Sequence, residues 1–180
     1  MDEGLPFIYG GDIAEGRISI ASCRRISERD SLRQSKTRLE EGDLLTVRVG
    51  APGVTAVVPS SCAGGNCASV MHVRKGHFDS EWLCYAMNSR MVRYQVEVVQ
   101  YGAAQEQFNI SHAVNFWVAT PPKAEQEEIS RYLSTELQKV DTLASEAGHA
   151  IRLLKERRSA LVAAAVTGKI DVRGLKEFLA

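Results

Sequence analysis

No apolar stretch in this 180-residue chain approaches the roughly 20 residues that a membrane-spanning helix needs. The start, Met1-Asp2-Glu3-Gly4, lacks the basic n-region and the apolar h-region of a secretory leader. A soluble, cytoplasmic protein is expected. Catalytic signatures are also missing. The chain has no G-x-x-x-x-G-K-[ST] loop to cradle a nucleotide phosphate, no G-x-S-x-G elbow to expose a nucleophilic serine, and no H-E-x-x-H pair to hold zinc on a helix. The expectation is a protein without chemistry of its own.

Cysteine is scarce, with four in the chain. Without a leader these read as reduced thiols rather than a disulfide framework. Cys62, Cys67, His72 and His77 do fall at five-residue intervals, and two thiolates with two imidazoles make a legitimate zinc set. The short C-x₂-C knuckle is absent, however, and Val70-Met71-His72-Val73 reads as a strand. Free thiols and surface histidines are the expectation.

Net charge is zero, with 22 basic and 22 acidic residues, although phosphate neutralisation normally supplies much of the affinity of a nucleic-acid binder. The distribution is uneven. Arg24, Arg25, Arg29, Arg33, Lys36 and Arg38 stand against only Glu28 and Asp30 in that stretch, and Arg48 follows in the next β-like run. Charge alone favours a solvated helical face over a binding patch.

Residues 1–120 alternate short β-like runs with turn signals. Pro6-Phe7-Ile8-Tyr9 ends at Gly10-Gly11, and Arg17-Ile18-Ser19-Ile20 alternates as a half-buried strand should. Ser27-Glu28-Arg29-Asp30 looks like a helix entry with Ser27 as N-cap and Asp30 at the capping-box position. The basic cluster would then span a loop and a short helix. Leu44–Val49 and Val54–Pro59 flank Gly50-Ala51-Pro52-Gly53 and read as a hairpin. A strand near Ala68–Val73 follows, then a helix opening at Asp79-Ser80-Glu81, with a break near Asn88-Ser89 before Val92, Val96 and Val99. The fold class is α+β.

From Thr120-Pro121-Pro122 the pattern changes, because proline starts a helix cleanly and nothing stops this one before Gly168. The resulting helix, of about 45 residues, would be about 68 Å long. Heptads place Leu133, Val140, Ala147, Leu154 and Leu161 at d, and Leu137, Ala144, Ile151, Arg158 and Ala165 at a. Nine of these ten positions are apolar, which predicts a coiled-coil seam. Arg158 is the exception, with its stem packed inward and its guanidinium snorkelling out. Two helices hinged at Gly148 would be the alternative, without a proline to support it.

Three linked pieces of this helix carry a resemblance. Pro121-Pro122-Lys123-Ala124-Glu125-Gln126, then Leu153-Leu154-Lys155-Glu156-Arg157-Arg158, then Ala164-Ala165-Val166-Thr167-Gly168-Lys169-Ile170-Asp171 resemble the helical region of type I restriction–modification specificity subunits, which reads PPLxEQ, LLxERR and AAVTGKID. Upstream, Pro6-Phe7-Ile8, Gly11-Asp12-Ile13, Gly42-Asp43-Leu44-Leu45 and Gly50-Ala51-Pro52-Gly53 resemble landmarks of that family's recognition domain. Tyr101-Gly102-Ala103-Ala104-Gln105 resembles its approach to the helix. A complete member carries two recognition domains and two such helices, whereas this chain carries one of each. It is a natural half-subunit or a fragment.

The resemblance implies a target-recognition domain over 1–120, a coiled-coil helix over 121–168 for dimerisation and docking of methyltransferase subunits, and a tail over 169–180. It implies double-stranded DNA as ligand, with Arg24, Arg25, Arg29, Arg33, Lys36, Arg38 and Arg48 as candidate contacts, since a duplex must be held by phosphate contacts somewhere. It further implies a homodimer through Leu133, Leu137, Val140, Ala144, Ala147, Ile151, Leu154, Leu161 and Ala165. Modification and restriction subunits are the implied partners, and they would bind S-adenosylmethionine and ATP. Thr120-Pro121-Pro122-Lys123 lacks the amide and the aromatic of an adenine methyltransferase's Asn-Pro-Pro-Tyr loop, which argues against a self-sufficient methyltransferase. A coiled-coil adaptor whose globular domain binds protein is the competing expectation.

Overall fold

The computed structural model describes residues 4–102 and 106–171. The tail beyond Asp171, and Ala103-Ala104-Gln105 of the approach to the helix, lie outside the described residues. The chain divides into two compact units, Met1–Arg131 and Tyr132–Ala180.

The first unit is α+β, as expected. Its strands are β1 (Leu5–Ile8), β2 (Ile13–Ala14), β3 (Arg17–Ile18), β4 (Arg24–Ile26), β5 (Leu44–Val47), β6 (Thr55–Val57), β7 (Asn66–Cys67) and β8 (Val70–Val73). Its helices are α1 (Glu28–Arg33), α2 (Ser80–Asn88), α3 (Arg90–Val99), α4 (Ile110–Ala113) and the start of α5 (Lys123–Val166). The strands form the sheets β4-β1-β7, β2-β3 and β6-β5-β8. In the first, β1 runs antiparallel to β4 and parallel to β7.

The expected hairpin is β5 and β6, paired antiparallel with Leu44 opposite Val57 and Thr46 opposite Thr55. β8 covers the other edge of β5. Every residue of β5 is buried, so this central strand reads as a continuous apolar run broken only by Thr46. Its hydroxyl is satisfied across the ladder by that of Thr55 at 2.8 Å. On one side Leu45 and Val47 join Ile8, Leu39, Ala56, Val58 and Val70 in the main core. On the other, Leu44 and Thr46 line a cavity of about 450 Å³ together with Met71, Leu83, Met87 and Phe116.

Side chains close the backbone accounts that this small fold leaves open. Asn88, at the end of α2, lies beside the free edge of β6. Its Oδ1 accepts the N–H of Thr55 at 3.0 Å and its Nδ2 donates to the carbonyl of Thr55 at 2.8 Å. The amide acts as one more rung of the sheet, and the break expected near Asn88-Ser89 falls at Ser89, whose extended backbone separates α2 from α3. Gly65 is needed for a different reason. A Cβ there would stand 2.3 Å from the carbonyl oxygen of Pro6, so only glycine lets the chain turn into β7 beside β1.

α5 runs unbroken through Gly148 for 44 residues, about 66 Å. Its first turns belong to the globular unit, where Gln126 and Ser130 are buried. The N–H of Asp79 donates to Gln126 Oε1 at 2.8 Å, and Ser130 Oγ donates to Asp79 Oδ1 at 2.5 Å. The same carboxylate oxygen accepts the N–H of Trp82 and caps α2. In the second unit the helix ends as read. Gly168 has φ +73°, Lys169 N–H donates to Ala164 and Gly168 N–H to Ala165, which is a Schellman closure.

Candidate nucleic-acid interface

α1 is built by its cap. Ser27 Oγ accepts the N–H of Asp30 at 3.1 Å, as expected of an N-cap, and donates its own proton to Asp30 Oδ2 at 2.7 Å. The Asp30 carboxylate is therefore turned to the Ser27 hydroxyl and not to the backbone N–H that the capping-box reading supposed. Asp30 also meets Arg33 Nη1 at 3.5 Å. The inner face of α1 is fixed by buried Ser31, whose hydroxyl donates to the carbonyl of Gly64 at 2.8 Å. Arg29 and Arg33, four apart on the helix, are left exposed.

A 3₁₀ turn over Ser35–Thr37 follows and carries exposed Lys36. Arg33, Gln34, Ser35, Lys36 and Thr37 together line a surface hollow of about 300 Å³. Arg24 and Arg25 lie not in a loop, as the sequence suggested, but on β4, held there by antiparallel pairing with β1. Both are exposed. The Arg24 guanidinium stacks 4.8 Å from the ring of Tyr9, and Arg25 reaches the Gly4 carbonyl at 3.5 Å.

Two of the seven candidates differ from the rest. Arg38 is half-buried beside Asn66, against which its backbone bridges, and its Nη1 is buried without a partner among the described residues. Arg48 is also half-buried and donates through Nε to the carbonyl of Phe108 at 3.3 Å. It follows the C-terminal end of β5, whereas Lys36 and Arg38 are tied to residues at the strand's other end. Five of the seven are thus exposed, Arg24 and Arg25 on β4, Arg29 and Arg33 on α1 and Lys36 on the 3₁₀ turn, whereas Arg38 and Arg48 are half-buried.

What ties the turn is a buried carboxylate. Asp43, 1% exposed, accepts the N–H of Lys75 at 2.8 Å, the N–H of Glu40 at 3.0 Å and His72 Nε2 at 2.6 Å. Burial pushes its pKa up, but the Lys75 N–H, the His72 ring and the Glu40 N–H outweigh it and hold the carboxyl below its ordinary value. Arg74 Nη1 lies 3.5 Å from the same group.

His72 is therefore not the surface histidine expected; it is mostly buried against Asp43, while His77 is exposed. Cys62 and Cys67 sit in the main core, and desolvation there pushes both thiols up to about 11. Among the described residues no three His, Cys, Asp or Glu side chains gather as a metal site would require.

Two features went unread in the sequence. Arg74 belongs with the basic cluster in space but lies 36 residues from Arg38, to whose carbonyl its Nη1 donates at 2.8 Å. Met91, Tyr94 and Val98 form a second apolar stripe on α3, exposed beside Val92 and Val96, which are buried. Gln95 fastens Trp117 next to it through both backbone groups, leaving the indole 83% exposed. The spacing of 91, 94 and 98 was the available signal for that stripe.

This architecture defines a class before any relative does: an α+β domain with exposed cations along residues 24–36, followed by one long helix. The HsdS subunit from Thermoanaerobacter tengcongensis shares the fold at a TM-score of 0.65 and 16% identity, over 94% of this chain and 44% of that one. A second solved chain, from a structure described as "Structural basis underlying complex assembly and conformational transition of the type I R-M system", matches at 0.64 and 17%, with the same coverage.

In sequence the chain is 22% identical over 180 residues to the type I restriction enzyme EcoBI specificity subunit of Escherichia coli, covering 96% of this chain and 37% of that protein. No protein-family model matches. The chain spans about two fifths of the length of the relatives it matches. The resemblance drawn from the helix motifs is borne out in both sequence and fold.

Proposed function

We propose that this chain is a DNA sequence-recognition subunit of a type I restriction–modification assembly, itself without catalytic activity. The observation that carries the reading is the likeness to specificity subunits along nearly the whole chain, joined to exposed Arg24 and Arg25 on the edge strand β4 and exposed Arg29, Arg33 and Lys36 on the segment that follows it. These cations would meet phosphates, while modification and restriction subunits bind S-adenosylmethionine and ATP and perform the chemistry in the cytoplasm. Replacing both Arg29 and Arg33 with Ala should weaken binding to every duplex about equally and flatten the salt slope by roughly two units. Gel shifts at several salt concentrations read this directly. A changed sequence preference at unchanged affinity would assign the pair to base reading and overturn the role.

The subunit works as a homodimer through α5 in this reading. Leu137, Val140, Ala144, Ala147, Ile151, Leu154 and Leu161 are exposed along the seam, and Leu133 and Ala165 half-exposed. Charge favours the antiparallel arrangement. Residues 123–147 carry three basic against six acidic side chains, and 148–166 carry four against one. Two antiparallel copies set each acidic half against a basic one, whereas parallel copies set like on like. A twofold dimer would read a bipartite palindrome. Leu154→Asp with Leu161→Asp buries carboxylates in the seam and should leave only monomer in sedimentation. A wild-type chain already monomeric at micromolar concentration would remove the dimer.

The exposed strip of Met91, Tyr94, Val98 and Trp117 favours a second reading, a globular domain that binds protein. Binding to random duplex that stays weak and indifferent to salt would select it.

A further inference from the structure

The turn that carries Lys36 is held by its own backbone bonds and by side chains from elsewhere in the domain. Asn66 Nδ2 donates to the carbonyl of Gln34 at 2.9 Å, and Cys67 Sγ lies 3.8 Å from that of Thr37. The Ser35 carbonyl accepts the N–H of Arg38 at 3.3 Å, and Arg74, 46% exposed, takes those of Lys36 and Arg38, donating through Nη2 to Lys36 at 3.3 Å and through Nη1 to Arg38 at 2.8 Å. Arg74 is itself fixed by Asp43 at 3.5 Å, and the other bonds of that carboxylate anchor it to β8 and to the Glu40 backbone. Glu40, exposed, adds a weaker hold at 3.7 Å.

This arrangement does two things for an anion-binding segment. Each bonded carbonyl carries its partial negative charge toward a donor in the domain instead of toward an approaching phosphate. The turn is also ordered before any duplex arrives, so less entropy is lost on binding. A guanidinium suits the task because its planar fork reaches two acceptors at once while its charge offsets a buried carboxylate.

We propose that Arg74 is a positioning residue for DNA binding, acting through the turn and Lys36 rather than by touching the duplex. The inference rests on the reading of the cationic segment as a phosphate contact.

The test is a double-mutant cycle of Lys36→Ala and Arg74→Ala, with Arg74→Lys alongside. Affinity for a random-sequence duplex is measured across salt concentrations, and amide exchange over residues 34–39 is followed in the same full-length chains. Lys36→Ala should lower the salt slope by about 0.9 unit. Arg74→Ala should do much the same, and the double variant should bind within about twofold of either single one, because both remove one contact. Arg74→Lys keeps the charge but not the fork, and should resemble Arg74→Ala. The Thr37 and Arg38 amides should exchange roughly tenfold faster in both Arg74 variants, with β5 unchanged.

Additive losses, with a slope falling by about two units in the double variant, would show that Arg74 touches phosphate itself. An Arg74→Ala chain that binds as tightly as wild type, while Lys36→Ala is weak, would sink the inference and leave the DNA reading standing. If Lys36→Ala has no effect, the inference falls; the Arg29 and Arg33 pair then decides whether the wider reading falls with it. Should Arg74→Ala not fold, Arg74→Lys carries the same comparison, and unaltered exchange at Thr37 and Arg38 in it is overturning on its own.

Discussion

Leucine does opposite things in the two units of this molecule. In the first, Leu45 is 0% exposed, inside a core closed by three sheets and the packed helices. In the second, Leu154 is 62% exposed on a helix that buries none of its own seam. Both stand in an apolar pattern, a continuous run in the strand and a period of three and a half in the helix. A pattern says that a face wants to be covered; whether the chain itself covers it is a tertiary matter.

The sharpest way to break that contrast is the same substitution in both places. Leu45→Ala should cost about 3 kcal/mol, from lost burial and the cavity left in a core that cannot collapse onto it. Leu154→Ala, measured by denaturant at concentrations too low for self-association, should change stability by less than about 0.5 kcal/mol. A large cost at Leu154 under those conditions would mean that the helix is covered within its own chain.

The middle-sized effect concerns Asp43, which holds the turn of the cationic segment. Its folded pKa is depressed, so its contribution is fully present above the unfolded value of about 3.9. It is lost as pH falls through the lower folded value. Asp43→Asn should therefore cost roughly 1–3 kcal/mol at neutral pH. The gap between variant and wild type should narrow below about pH 4. Chemical denaturation at pH 7 and at acid pH checks this, and a gap that widens in acid would contradict the assigned bonds.

The smallest effect locates the border between the units. Ser130→Ala removes the hydroxyl that donates to the α2 cap and should cost about 1 kcal/mol. Ser145→Ala, exposed further along the same helix, should be neutral or slightly stabilising because alanine is the better helix former. Equal effects at the two serines would move the border back to the start of α5.

Features encoded within a few residues were legible in advance. Ser27 and Asp79 cap their helices, Gly168 closes α5, and the Gly-Ala-Pro-Gly turn joins a true hairpin, because caps and turns depend on backbone groups three or four residues away. The strand over Arg24–Ile26 was not legible. Two arginines carry no period-two apolar signal, and only pairing with β1 makes them a strand. β7, two residues long, is likewise a strand only because β1 lies beside it. Asp43 read as part of a turn, since nothing near it in sequence names His72 or Arg74 as its partners. The candidate contacts were found as a charge cluster, but their division into exposed Arg29, Arg33 and Lys36 and half-buried Arg38 and Arg48 followed from packing.

The sequence by itself determined the class of fold, the long helix with its seam, and the likeness to specificity subunits, because local bonding and side-chain periodicity repeat along the chain and need no distant partner. Tertiary structure alone decided which arginines face solvent and which are tied down. It also buried Asp43 and the thiols of Cys62 and Cys67, and it assigned the first turns of α5 to the globular unit. Those outcomes depend on contacts between residues tens of positions apart, and burial, desolvation and ion pairing come into being only when such contacts close.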